Sequence, residues 1–205
     1  MLDFGFYNMD CMQGMKEFPD NYFDLAIVDP PYGINISNNM GRRKGDKNSA
    51  YPKAYWDNAI PTDDYFNELF RVSKHAIIWG GNYFKLPPTK CFIVWRKPQI
   101  SESMSFSMIE YAWTNLEGTA KEYIGMSNEK DRIHATQKPI ALYQWILNRY
   151  AHKNDIILDT HVGSASSLIA CHRANHKFVG FELDEYYYKL ANQRLKDEMS
   201  RKKLF

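Results

Sequence analysis

Leu25-Ala26-Ile27-Val28-Asp29-Pro30-Pro31-Tyr32-Gly33 is an apolar run that ends in a carboxylate, two prolines and an aromatic ring. The run predicts a buried strand. The prolines lack the N–H that a sheet needs and cannot continue it. They also hold Asp29 and Pro30 extended. The expected product is a stiff hook at a strand's carboxyl end, where open α/β sheets place their ligands. A carboxylate and a proline carbonyl together can accept both N–H groups of a nucleobase's exocyclic amino group. The Tyr32 ring can stack on a base that has left its duplex. The plainer reading is a polar strand end followed by a Pro-Pro-Tyr-Gly turn.

Far along the chain, Asp155 to Asp159 reads as a strand, Thr160 to Ser167 as a glycine-bearing turn, the segment through about Arg173 as a helix, and Lys177 to Glu182 as a second strand ending in an acid. Glu182 follows Gly163 by nineteen residues. That pattern suits an adenosyl nucleoside, with close backbone approach at Gly163 and ribose hydroxyls on Glu182. Between hook and turn, His134-Ala135-Thr136-Gln137-Lys138-Pro139 is expected to open a helix to about Tyr150, with Pro139 in its first turn and Leu142, Trp145, Ile146 and Leu147 on its buried side. A helix N-terminus beside Lys138 is a natural carboxylate site; the bland reading is a capped helix. Near the N-terminus, residues 1–10 read as a strand ending at Asp10, and Cys11 to Phe18 as a short helix that Asp10 caps.

Asp-Pro-Pro-Tyr after an apolar strand resembles the catalytic motif of amino-group DNA methyltransferases, which use S-adenosylmethionine to methylate adenine N6 or cytosine N4. The resemblance implies that Asp29 and the Pro30 carbonyl bind the target amino group, that Pro31 shapes the hook, and that Tyr32 stacks on the flipped base. The stretch at residues 134–139 is similar to the family's His-Pro-Thr-Gln-Lys-Pro, with Ala135 in place of the first proline. It implies that Thr136, Gln137 and Lys138 hold the methionine end of the cofactor. The turn after Asp159 is similar to Asp-Pro-Phe-x-Gly-Ser-Gly, keeping Asp159, Gly163 and Ser164 but carrying Thr160, His161 and Ala165. The family would use this loop and Glu182 for the cofactor, with Asp10 on its adenine amino group and Cys11 as a backbone contact. Strands ending in Trp79-Gly80-Gly81 and in Trp95-Arg96-Lys97 are further points of similarity. The hook precedes the cofactor loop by about 130 residues, the order of the β arrangement within the family.

The resemblance implies one methyltransferase domain over residues 1–205, a Rossmann-like α/β fold whose mostly parallel central sheet carries helices on both faces. Adenine N6 is the expected target, because Asp heads the hook in most adenine enzymes of the family. Cytosine N4 is the alternative. RNA as substrate is a further option. A non-catalytic DNA-binding relative with a degraded cofactor site is kept in view by Thr160, His161 and Ala165. Many relatives dimerise, so a homodimer is a possible partner state beside double-stranded DNA. The small size suits a stand-alone modification enzyme of restriction-modification type, working in the cytoplasm of a bacterium or of a phage-infected cell.

Residues 35–57 form a basic, irregular stretch. Arg42, Arg43, Lys44, Lys47 and Lys53 stand among Tyr51, Tyr55 and Trp56, with Asp46 the one acid before Asp57. Beside a base-flipping hook this suits phosphate contact; charge runs are more often solvated surface. Residues 115–133 lack clear periodicity and leave room for only a minimal target-recognition segment. Pro61 to Lys74 reads as a helix with Phe66, Leu69, Phe70 and Ser73 near one face. Strands are expected over His75–Asn82, Cys91–Trp95 and Phe106–Thr114, and a final polar helix from Asp184 to Lys203.

Length and composition agree with a single folded unit: 205 residues, 44% hydrophobic and 24% charged, which is globular and not disordered. The net charge of +2 is too small to imply nucleic acid by itself, so charge distribution carries that argument. Cys11, Cys91 and Cys171 lie far apart with no Cys-x-x-Cys pair, which argues against disulfides or a zinc knuckle and suggests a reducing compartment. None sits in a Pro-Cys hook, which weighs against carbon-5 cytosine chemistry. His161, His172 and His176 lack a local carboxylate to complete a set, so no metal is expected. No run reaches membrane-spanning length, and the start, with Asp3 and no basic region, does not read as a signal peptide.

Overall fold

The computed structural model describes residues 1–34, 57–104, 106–127, 132–134 and 136–201. Among them are strands β1 (Gly5–Asn8), β2 (Phe23–Val28), β3 (Ser73–Trp79), β4 (Phe92–Arg96), β5 (Ile109–Thr114), β6 (Lys121–Ile124), β7 (Ile156–Asp159) and β8 (Lys177–Glu182). The helices are α1 (Cys11–Met15), α2 (Asp63–Val72), α3 (Ile140–Tyr150), α4 (Ser166–Arg173) and α5 (Glu185–Ser200). The strands form one sheet in the order β1-β8-β7-β2-β3-β5-β4-β6. It is mostly parallel; β5 runs antiparallel to both of its neighbours.

β2 is central, and its alternation explains the unbroken apolar run. Ala26 and Val28 face one core with Tyr65, Phe66, Leu69 and Val72 of α2. Leu25 and Ile27 face the other with Leu142, Tyr143, Ile146 and Leu147 of α3. A parallel strand covered on both faces has no polar side to show. On the first face α1 packs closely over β8, because a Cβ at Gly14 would lie 2.4 Å from the Phe181 ring. Leu168 and Ile169 of α4 meet Ala191 and Leu195 of α5 in a third cluster.

Several boundaries differ from expectation. Helix α2 stops at Val72 and Ser73 opens β3, since parallel pairing with β2 begins at Phe23↔Ser73. The buried stripe of α2 therefore runs Tyr65, Phe66, Leu69, Val72. Pro139 is extended (φ −71°, ψ 145°) and stands before α3, so His134–Pro139 precedes the helix and does not form its first turn. Tyr143 is buried in α3 where Trp145 was expected; Trp145 is half-buried beside Tyr123 of β6, ring centroids 5.6 Å apart. Residues 115–133 contain β6, a four-residue edge strand whose half-buried and exposed positions alternate.

The chain turns one way after β2, through α2 to β3, and the other way after β7, through α4 to β8. β2 and β7 pair directly, Leu25↔Ile157 and Ala26↔Leu158. Their carboxyl ends flank the switch point where such sheets bind ligands.

Candidate active site

The hook leaves β2 at Asp29 and is fixed from outside the strand. Asp57 is buried, and its Oδ1 accepts the backbone N–H groups of Tyr32 (2.7 Å) and Gly33 (2.9 Å). Gly80, just past β3, has φ +70°, and a Cβ there would lie 2.1 Å from the Tyr32 ring. The Trp79-Gly80-Gly81 turn is thus the seat of that ring. Tyr83 stacks on Tyr32, centroids 4.9 Å apart and planes 12° from parallel.

Around Asp29 the charges alternate. Its Oδ1 accepts the Tyr32 hydroxyl at 2.5 Å, and its Oδ2 accepts from Lys138 Nζ at 2.5 Å. Lys138 Nζ also lies 3.1 Å from Glu110 Oε2, and Lys97 donates to the other Glu110 oxygen. Burial opposes the charged form of Glu110, but Lys138 and Lys97 outweigh it and hold the carboxyl below its ordinary range. Burial likewise opposes the Lys138 ammonium, and Asp29 and Glu110 overcome it, raising its pKa. Burial, then the Asp29 charge, pushes the Tyr32 phenol well up. Tyr32 is therefore a neutral donor.

Two cavities meet at this network. One, of about 410 Å³, is walled by Asp29–Tyr32, Tyr83, Lys97, Glu110 and Arg132. The other, of about 500 Å³, lies between Asp10–Cys11, Thr160–Ser164 and Glu182–Asp184. Asp29, Pro31, Thr136, Gln137 and Lys138 line both. Each volume is in the range of small-molecule sites. Two chambers sharing a wall with a carboxylate suit a transfer between two bound partners.

The larger cavity is shaped mainly by backbone held on carboxylates. Asp10 caps α1, accepting the Met12 N–H at 2.7 Å. Glu182 accepts the Gly163 N–H at 2.8 Å and the Asp184 N–H at 2.9 Å, tying the turn after β7 to the end of β8; burial raises its pKa. Arg194 of α5 donates to the Ser164 carbonyl at 2.7 Å. Burial, then the Asp10 charge, pushes the Cys11 thiol up to about 12, which makes it unreactive. Asp159 stands behind the cavity wall: it accepts the Ser167 hydroxyl and, at 3.0 Å, the His161 N–H. Burial raises its pKa to about 7. From behind the wall it braces the loop. Lys138 lines both cavities, and its ammonium meets Asp29 and Glu110.

Thr160 bonds the Tyr65 hydroxyl (2.7 Å) and His161 Nδ1 (2.9 Å). Burial lowers the His161 pKa to about 4, so the ring is neutral. Burial, then the charge of Lys138, lowers His134 to about 4 as well. Thr136 and Gln137 adjoin the shared wall; Gln137 Oε1 accepts the Ile133 N–H at 3.1 Å. Ala165 is left-handed at φ 61° and wholly buried. Among the described residues no group of three His, Cys, Asp or Glu side chains could hold a metal. Arg42, Arg43, Lys44, Lys47 and Lys53 lie outside the described residues.

Asp57, Tyr83, Lys97 and Glu110 were not singled out as site residues by sequence. The one signal was Trp95-Arg96-Lys97, whose lysine directly follows β4.

The family model described as DNA methylase, of the N6/N4 class, matches residues 90–193. YubD of Escherichia coli (strain K12), named as a candidate methylase, is 25% identical over 93% of this chain and 89% of its own. The M1.HpyAVI–SAM complex superposes with a TM-score of 0.61 at 18% identity, covering 92% of this chain and 98% of that one. The PvuII DNA methyltransferase (cytosine-N4-specific) does so with a TM-score of 0.61 at 13% identity, covering 96% and 91%.

Proposed function

The chain belongs to the DNA methylase family of the N6/N4 class, and from that premise we propose that it transfers a methyl group from S-adenosylmethionine to the exocyclic N6 of adenine in DNA. The observation that carries the reading is the pair of cavities sharing Asp29, Pro31 and Lys138 at the switch point of the sheet.

The residues present fit the donor. The larger cavity offers acceptors at Asp10, Glu182 and Asp184 for amino and ribose hydroxyl donors, and left-handed Gly163 allows close backbone approach. Thr136 and Gln137 would border its methionine end. When bound, S-adenosylmethionine supplies an electrophilic methyl on a sulfonium sulfur.

The chain's own part is binding and orientation. The smaller cavity takes the flipped base, at an unstacking cost of a few kcal/mol. Asp29 and the Pro30 carbonyl accept the amino hydrogens and turn the nitrogen lone pair toward the shared wall. The rings of Tyr32 and Tyr83 supply the stacking surface. Catalysis is then positioning and fixed electrostatics, with no covalent enzyme intermediate. Arg42, Arg43, Lys44, Lys47 and Lys53 are proposed as phosphate contacts.

Cytosine N4 is the second reading, favoured by the equal likeness to a cytosine-N4-specific enzyme. The test is transfer from labelled S-adenosylmethionine to unmethylated DNA, followed by nucleoside analysis. N6-methyladenine is the expected product. N4-methylcytosine would move the reading to the other base, and no transfer with no cofactor binding would overturn it.

A further inference from the structure

The charged network shared by the two cavities has more members than amino-group methyl transfer by the hook alone requires. Lys138 is 5% exposed. Its ammonium has three oxygen neighbours: Asp29 Oδ2 at 2.5 Å, Glu110 Oε2 at 3.1 Å and the Tyr32 hydroxyl at 3.4 Å. The Trp79 and Tyr32 rings close the remaining sides, with centroids 5.2 and 5.8 Å away. An ammonium has three hydrogens, and here three oxygens surround it. To clamp a carboxylate in the donor cavity, Lys138 would have to leave Asp29 and Glu110, whose side chains are only 18% and 23% exposed, and take away the one ammonium that pairs with both. Uncompensated buried charge is strongly unfavourable.

On the methyl-transfer reading above, we propose that Lys138, seated by Glu110, is a positioning residue for Asp29 and not the clamp for the donor's carboxylate. Lys138 pins Oδ2 while Tyr32 pins Oδ1, so the carboxylate cannot turn away from the target amino group. Glu110, itself neutralised by Lys97, fixes Lys138 from the acceptor side. The four groups, Asp29, Lys138, Glu110 and Lys97, sum to zero charge.

The test separates donor binding from turnover. Lys138→Met alone leaves the site with an excess negative charge and can fail to fold, so the charge-balanced double variant Lys138→Met/Glu110→Gln is measured beside it, with circular dichroism confirming the fold. S-adenosylmethionine affinity is read by calorimetry and turnover at saturating donor on unmethylated DNA. The expected result for the double variant is a donor Kd within about threefold of wild type and kcat reduced about 100-fold, the scale seen when one fixed electrostatic partner is removed. Glu110→Gln alone is expected to lower kcat about tenfold with the donor KM unchanged. A donor Kd weakened tenfold or more, with kcat retained, would assign the Lys138 charge to the donor and overturn the proposal. Unchanged Kd and kcat would overturn it as well. If wild type neither binds donor nor methylates DNA, it is the methyl-transfer reading that fails, and the wild-type titration shows this before any variant is made.

Discussion

The two cavities are built by different means. Around Asp29 the wall is side chains: Lys138 ahead of α3, Lys97 just after β4, Glu110 on β5 and Asp57 all converge there. Around Glu182 the wall is largely backbone, with N–H groups of Gly163 and Asp184 on one carboxylate and the Ser164 carbonyl on Arg194. A side-chain wall depends on the identity of every member. A backbone wall depends on path, and tolerates exchange of side chains along it. This contrast accounts for Thr160, His161 and Ala165 departing from the family pattern while the hook keeps all four residues. Loss of pattern at the loop is then weak evidence for a degraded site.

Four substitutions test this contrast between the two walls. Asp29→Ala should lower turnover by about 10³-fold or more while leaving donor affinity near wild type; normal turnover by that variant would remove the hook from the chemistry. Gly80→Ala should follow, because the new methyl would overlap the Tyr32 ring and the left-handed backbone costs a further ~1–2 kcal/mol. Turnover falling about 100-fold with donor affinity kept is the expected result; a loss confined to donor binding would contradict the seat assigned to Tyr32.

On the backbone side, Asp159 gives a pH signature. Its folded pKa of about 7 lies above the ordinary 3.8. Its contribution to stability is thus fully present below about pH 4 and lost as pH rises through about 7. His134 and His161, lowered to about 4, act in the opposite sense: their contribution is present above about pH 6.5 and lost as pH falls toward 4. Comparing wild type with Asp159→Asn isolates the carboxyl. Between pH 5 and 7 wild type should lose about 2 kcal/mol relative to the variant, read from denaturant midpoints; parallel curves would mean that Asp159 does not titrate there. The smallest effect is expected of Ala165→Gly, which relieves the φ of 61° and should raise Tm by about 2–4 °C, equivalent to about 1 kcal/mol in a chain of this size. A lower Tm would show that the buried methyl contributes more than its strain.

Legibility followed the range of the interactions. β8 was read at its observed bounds, and the apolar run of β2 was plain, because each is set by local alternation and by burial on both faces. The end of α2 was misplaced by two residues, since the start of β3 is decided by pairing with β2 some fifty residues away in sequence. β6 went unseen because an edge strand of four residues with polar alternation carries little hydrophobic signal. In the site, the hook, Asp10 and Glu182 were visible as motif or cap. Asp57 and Glu110 were not, because a carboxylate in a loop or a strand has no local mark of what it will face.

The pairing of β2 with β7 has a kinetic corollary. Asp29 and Thr160 are 131 positions apart in sequence, yet they border one cavity only because those strands are neighbours. Closing so long a loop is among the slower events available to a small domain. A ribosome-bound intermediate ending before β7 carries the wall residues of the smaller cavity but lacks Thr160–Ser164 and Glu182–Asp184 of the donor chamber. Competence to bind both partners is gained in one late step, and donor binding can serve as a stopwatch for completion of the fold.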